Sequence, residues 1–279
     1  MLQSISMKRI LFCSVLLFTF SSSLPAQTVR QLRKTFEMKM PKGPGENGGT
    51  VALNLKNRYF YATIAGNKTY SMAYFNAIGE MMSPPDLSLL ADIRGIWYNP
   101  VLKTMQGNGF SNTGWVNYVL DESGVPYDVK PFLSGQLQPY PNSVGQYNQR
   151  ENVVYFLKGS TVVTYDAATG KEIKEKTYLL KTGYSKKAPP PAGLVIDSAK
   201  VLPQYNSTTV VYTGITNGEF GLLNVDTKEI ELYSKADGLM GQKFKLPADT
   251  RVKDKLNFSY SNNVYFLYDS FKRSWIGYR

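Results

Sequence analysis

The side chains available for chemistry are restricted in kind. The sequence contains no histidine, and its single cysteine, Cys13, lies in an apolar stretch near the N-terminus. A Ser-His-Asp or Cys-His nucleophile, a histidine general base and imidazole zinc ligands are therefore excluded from this chain. It also lacks a phosphate-cradling loop and a glycine-rich dinucleotide fingerprint. What remains is carboxylate chemistry, lysine or tyrosine chemistry, and oxygen-only sites for hard cations. Two facing carboxylates suffice to hydrolyse a glycosidic bond. Asp86, Asp92, Asp197 and Asp254 stand on loops ahead of predicted inner strands, within reach of a channel mouth; a solvated turn residue is the plainer reading of each. Asp121, Asp166, Asp226 and Asp269 recur at one place in a repeat, which points to Asx turns and away from catalysis. No spacing of acidic residues marks a metal site, and neither metal nor cofactor is expected.

A second group of residues suits binding. Trp97, Tyr98, Gln146, Tyr147, Gln204 and Tyr205 stand at or beside Tyr-Asn pairs that end predicted inner strands. Aromatic faces stack on sugar rings and amides bond to hydroxyls. These six residues are therefore predicted to line one end of a central channel and hold a polar ligand. The competing reading packs each tyrosine between neighbouring blades and leaves the asparagine to shape a turn.

Such residues need a scaffold, and the scaffold announces itself as a repeat. The phrase that ends in asparagine recurs at Leu53-Asn54, Tyr98-Asn99, Tyr147-Asn148, Tyr205-Asn206 and Tyr260-Ser261-Asn262. Its period of about fifty residues, filled by short alternating strands and turn residues, is that of a β-propeller. Blade one is expected at Val51–Leu55, Arg58–Ile64, Thr69–Asn76 and Glu80–Met82, with its central turn at Gly66-Asn67. Blade two is expected at Gly95–Tyr98, Val101–Met105, Trp115–Asp121 and Val125–Val129, before a proline-punctuated loop over 130–141. Blade three is the clearest, at Val144–Asn148, Val153–Leu157, Thr161–Asp166 and Lys171–Lys176. Blade four is expected at Ala199–Gln204, Thr209–Ile215, Phe220–Asp226 and Glu229–Tyr233, followed by a long connection over 234–254. The last repeat offers only three strands. An open edge would remain unless the alternating strand at Thr35–Met40 fills it. The expectation is an all-β, five-bladed propeller of four-stranded antiparallel blades, closed by an N-terminal strand; six blades is the alternative.

The segment Ser160-Thr-Val-Val-Thr-Tyr-Asp-Ala-Ala-Thr-Gly-Lys-Glu-Ile173 resembles the blade phrase of exported quinoprotein-like and YVTN-type propellers, and Asn224-Val-Asp-Thr-Lys-Glu-Ile230 is a weaker copy. The resemblance implies the blade and no particular activity. The tryptophan-docking pattern of quinoproteins is missing, so no quinone is carried over.

The N-terminus reads as a secretory signal over residues 1–26: Lys8-Arg9, an apolar run from Ile10 to Phe20, then small residues to Ala26. The run is shorter than the roughly 20 residues a bilayer span needs. One propeller domain over 27–279 is expected, exported to the periplasm, cell surface or medium, with no transmembrane segment after cleavage. The net charge of +11 is scattered over the sequence, and nucleic acid is not an expected partner for an exported chain. The functional expectation is a binding or interaction module for a polar small molecule, a glycan or an envelope protein. A carboxylate-based glycan hydrolase and a structural piece of an envelope assembly are the alternatives.

Overall fold

The computed structural model describes residues 29–43, 45–66, 70–84, 86–195 and 204–279. The predicted signal segment, Asn67 and Asp197 lie outside the described residues.

Two short strands, β1 (Arg30–Gln31) and β2 (Lys34–Lys39), precede the first blade. Blade 1 is β3 (Asn47–Leu53), β4 (Phe60–Ala65), β5 (Tyr70–Phe75) and β6 (Ser88–Leu89). Blade 2 is β7 (Ile93–Asn99), β8 (Thr104–Gly109), β9 (Trp115–Leu120) and β10 (Pro126–Leu133). Blade 3 is β11 (Gln146–Asn148), β12 (Val153–Lys158), β13 (Thr161–Asp166) and β14 (Tyr178–Leu179). Blade 4 is β15 (Val211–Tyr212), β16 (Phe220–Asn224), β17 (Glu229–Tyr233) and β18 (Met240–Lys245). Blade 5 is β19 (Phe258–Ser261), β20 (Val264–Asp269) and β21 (Ser274–Tyr278), completed by β2. The first strands of the blades, β3, β7, β11, β15 and β19, each neighbour the next and form a closed ring. The protein is a five-bladed propeller, as the repeat predicts.

Period-two alternation explains how the ring holds together. Along β12, Val153, Tyr155 and Leu157 pack against blade 4, while Val154 and Phe156 pack against blade 2. A strand between two blades is buried on both faces, which is why Val-Val-Tyr-Phe-Leu reads as a continuous apolar run. The buried side chains sort into five clusters, one per interblade layer. Trp115 anchors the layer between blades 2 and 3, and Trp275 the layer between blades 5 and 1; neither is exposed to solvent.

Ring closure comes from β2. It pairs antiparallel with β21 in the register Glu37↔Ile276, Met38↔Trp275 and Lys39↔Ser274. A second fastening was not foreseen: β1 adds a fifth, parallel strand to blade 4, with Arg30 opposite Phe244 and Gln31 opposite Lys245. The N-terminal segment thus covers the outer edges of two successive blades, edges that would otherwise expose unpaired backbone.

Blade 4 departs from the expected frame. Thr209–Ile215 was expected as a second strand, but β15 within it is the inner strand. The expected connection over 234–254 contains the fourth strand, β18. Most of the expected inner strand Ala199–Gln204 lies outside the described residues. The slip traces to Asn206, which starts an excursion before β15 instead of ending an inner strand: Tyr205 bridges Asn224, and Val211 already pairs with Gly221. In blade 3, Lys171–Lys176 is mostly turn, with one bridge between Tyr165 and Glu172; the fourth strand is Tyr178–Leu179. In blade 1, Met81 makes only a bridge to Phe75, and the expected connector supplies β6. In blade 2, Val101 to Lys103 form a turn, and β10 runs into the expected loop.

Candidate functional site

In blades 1 to 3 the repeated asparagines build the turns that end the inner strands. Asn54, Asn99 and Asn148 are all buried. Their Oδ1 atoms accept from the backbone N–H of Lys56, of Val101 and Leu102, and of Arg150, respectively. Their amide groups reach across to the Gly124 carbonyl, to Gln106 Oε1 and to the Tyr155 hydroxyl. These are Asx turns with a buried second anchor, so the asparagine is structural. The acidic markers behave alike. Asp121 accepts from Val125, Asp166 from Ala168 and Thr169, and Asp269 from Phe271 and Lys272. In blade 4 the same task falls to Asn224, which accepts from Asp226 and Thr227.

The residue just before each turn has another fate. Leu53, Tyr98, Tyr147, Tyr212 and Tyr260 occupy this place in the five blades, and all are half-buried. Together they line one cavity of about 290 Å³ at the C-terminal ends of the five inner strands. Val51, Ala52 and Leu55 of blade 1, Ile96 and Trp97 of blade 2, Gln146 and Gln149 of blade 3, and Ser261 and Asn262 of blade 5 complete the lining. Trp97 and Tyr147 stack with centroids 6.2 Å apart, and Trp97 donates its indole N–H to Gln106 at 3.2 Å. Tyr147 donates to Asn152 Oδ1 and Tyr260 to Asn263 Oδ1, both at 3.0 Å. Burial pushes the phenols of Tyr147, Tyr212 and Tyr260 above the ordinary tyrosine value. They are therefore uncharged at neutral pH. Among the described residues neither a charged side chain of Asp or Glu nor one of Lys or Arg lines the cavity, and the polar side-chain groups there are amides, hydroxyls and one indole N–H.

Below the mouth the ring is tight. Gly95 of blade 2 meets Gly145 of blade 3 so closely that a Cβ on Gly95 would lie 2.7 Å from the Gly145 nitrogen. Asn108 fastens the same seam by accepting from Gly145 N–H at 2.9 Å and donating to the Ser143 carbonyl at 2.8 Å. Between blades 1 and 5, Ser259 bonds to Thr50 and to the backbone of Val51. The cavity is a cup whose floor is made by strand contacts.

The structure brings Trp97, Tyr98, Gln146 and Tyr147 to this cup. It does not bring Gln204 and Tyr205 there. Tyr205 is 4% exposed in the layer between blades 3 and 4; its hydroxyl donates to Glu231 at 2.7 Å and lies 3.3 Å from the Tyr233 hydroxyl. Glu231 is buried and also accepts from Tyr233 at 2.5 Å, with Lys243 at 3.2 Å. That cluster closes on itself within the blade packing. The residue of blade 4 that reaches the cup is Tyr212. No asparagine follows it, so the repeated phrase does not mark it.

The loop carboxylates stand elsewhere. Asp92 is ion-paired with Arg94 and accepts from Gly66 N–H at 3.0 Å. Asp86 and Asp254 are exposed. At the rim between blades 3 and 4, Lys235 pairs with Glu151, donates to the Tyr155 hydroxyl at 3.1 Å and sits over the Tyr178 ring. Among the described residues no group of three His, Cys, Asp or Glu side chains is placed to hold a metal.

The fold has known counterparts. The chain is similar to the crystal structure of Myxococcus xanthus glutaminyl cyclase, with a TM-score of 0.53 and 7% identity over 91% of this chain and 97% of that one. At that identity the likeness shows the fold alone. No known family profile and no curated relative matches the sequence. The likeness to quinoprotein and YVTN propellers therefore extends no further than the blade phrase.

Proposed function

We propose that this propeller is an exported binding module whose cup at the ends of the inner strands holds the uncharged rings of a glycan. The observation that carries the reading is the lining itself. It combines one indole and four phenols with amides and hydroxyls, and contains no ionised group. Aromatic faces give a sugar ring its apolar contact, and amides direct its hydroxyls. A hydrolase would need two carboxylates converging on one cleft, and this cup has none, so binding without cleavage is the reading we favour.

The test is a calorimetric titration of the protein with short oligosaccharides, comparing wild type with Tyr212→Ala and Tyr98→Ala. Loss of one stacking face, about 1 kcal/mol, should weaken binding about fivefold; both rings also pack on interblade layers, so the titrations are run well below the melting temperature of each variant. Binding that survives both substitutions would place the ligand elsewhere and refute the reading.

A further inference from the structure

Beside the cup lies a second cavity, of about 420 Å³, and the two share Tyr260 and Asn262. It opens between blades 4 and 5, and ring closure is the reason. In blade 2, the loop between β9 and β10 lays the Gly124 carbonyl over the first turn of blade 1, where Asn54, Asn57 and Tyr61 donate to it. In blade 4, the loop between β17 and β18 lays Lys235 over the first turn of blade 3. In blade 5 the third and fourth strands, β21 and β2, come from separate parts of the sequence, so no hairpin loop joins them. The corresponding place, beside the first turn of blade 4 at Ile215, is open.

Two cations occupy its walls. Arg30 on β1 and Arg279 after β21 both line the cavity, and both are exposed. Among the described residues no Asp or Glu side chain forms an ion pair with either guanidinium, and none lines the cavity. The Arg279 backbone pairs with that of Arg33, and among the described residues its guanidinium donates one hydrogen bond, to the Asn262 carbonyl at 3.2 Å.

A third residue points the same way independently. Tyr265 is 4% exposed, lines this cavity, and carries a buried hydroxyl that has no hydrogen-bond partner among the described residues. At the same place on the second strand, blades 1 and 3 have Phe60 and Val154, opposite Leu53 and Tyr147 as Tyr265 is opposite Tyr260. Packing asks only for an apolar side chain there. A buried hydroxyl without a partner costs about 1–3 kcal/mol, so its presence calls for a bonding partner. Burial keeps the phenol protonated, and hence a donor. The Tyr118 and Tyr268 hydroxyls are also unpartnered, but Tyr118 lines none of these cavities, and the cavity Tyr268 lines holds Asp249, with the Arg251 there facing Asp269.

We propose that the cavity between blades 4 and 5 is an anion subsite continuous with the cup, in which Arg30, Arg279 and Tyr265 bind the carboxylate or sulfate of an acidic oligosaccharide. The inference rests on the glycan reading of the cup and names the glycan class. Guanidiniums bond carboxylate and sulfate oxygens in a planar fork, and the phenol supplies a third donor.

The experiment uses matched pairs of probes that share a sugar backbone and differ in their anionic groups. One pair is tetragalacturonate and its full methyl ester; the other is a chondroitin sulfate tetrasaccharide and its desulfated form. Each is titrated into the full chain at low salt. For one pair the charged member should bind about tenfold more tightly than its partner, and the preference should shrink at physiological salt, where exposed charges are screened beyond about 8 Å. Arg30→Gln with Arg279→Gln should abolish the preference and leave affinity for the uncharged methyl ester intact. Tyr265→Phe keeps the ring and removes only the hydroxyl; it should reduce the preference several-fold without lowering the melting temperature. Equal affinity within both pairs would overturn the anion subsite while leaving the glycan cup standing. A preference untouched by the arginine and tyrosine variants would also overturn it. If no probe binds, both readings fall.

Discussion

Met38→Ala tests the closure of the ring. Met38 is fully buried in the layer between blades 5 and 1, opposite Trp275 on β21 and in a cluster with Phe60, Phe75 and Phe266. If β2 is the fourth strand of blade 5, truncating this side chain leaves a cavity inside a packed layer, which costs about 2–5 kcal/mol for a buried methionine. For a domain of this size each kcal/mol lowers the melting temperature by about 2–4 °C, so the expected drop is roughly 4–20 °C. Lys39→Ala, one residue further along the same strand and exposed, is the control and should stay within about 0.5 kcal/mol of wild type. The assay is thermal unfolding followed by near-ultraviolet circular dichroism, which reports the packing of Trp275 and its neighbours. A Met38→Ala protein that melts with the Lys39→Ala control would refute the closure, because a strand lying loosely on the blade could lose its side chain without consequence.

Two other perturbations follow from named contacts. Gly95→Ala places a Cβ within 2.8 Å of the Gly145 backbone and against Asn108; overpacking of that kind costs about 1–3 kcal/mol, so the variant should melt several degrees lower, and an unchanged melt would show that the seam between blades 2 and 3 is loose. Glu151 is subject to burial, which raises its pKa, but its hydrogen bonds to Lys235 and Lys176 outweigh that and hold it below the ordinary value of 4.5. A carboxylate depressed in the folded state contributes stability that is complete above its unfolded value and is lost as pH falls through the folded one; melting temperature should therefore decline below about pH 4.5, less steeply in Glu151→Gln, and parallel profiles for the two proteins would rule Glu151 out as a contributor.

The architecture was legible because the packing of a propeller is repetitive. Blades 1 to 3 use the same buried turn anchor, so asparagine returns at Asn54, Asn99 and Asn148, and aspartate ties a later turn at Asp121, Asp166 and Asp269 in blades 2, 3 and 5. The missing strand of the last blade was legible for the same reason, since an open edge demands a partner and Thr35–Met40 was the one unassigned alternating segment. Blade 4 was misframed because one marker served another purpose. Asn206 accepts from Thr208 and Thr209 and holds an excursion ahead of the inner strand, not a turn at its end. That slip moved the predicted ligand residue from Tyr212 to Tyr205. The strand β1 was illegible because two residues paired in parallel to an edge leave no periodic trace. The second cavity was illegible because it lies at a seam, and a seam is where the repeat fails to apply.

The division between what repeats and what does not also separates structure from recognition. Asn54, Asn99 and Asn148 are buried and bonded on both sides, which leaves them nothing to offer a ligand. The residue before each of them is tied less tightly, because its side chain stands at the end of a strand where the ring opens. Four blades place a tyrosine there and one a leucine, so the repeat itself delivers a nearly complete aromatic ring around the mouth. Ring closure then breaks the symmetry once. It removes a covering loop between blades 4 and 5, exposes Arg30 and Arg279, and leaves the Tyr265 hydroxyl unsatisfied beside the aromatic mouth. A five-fold arrangement of neutral rings cannot by itself orient a chain-like ligand, because every blade looks much the same to it. A single cationic seam can, since it gives the ligand one end to be held by.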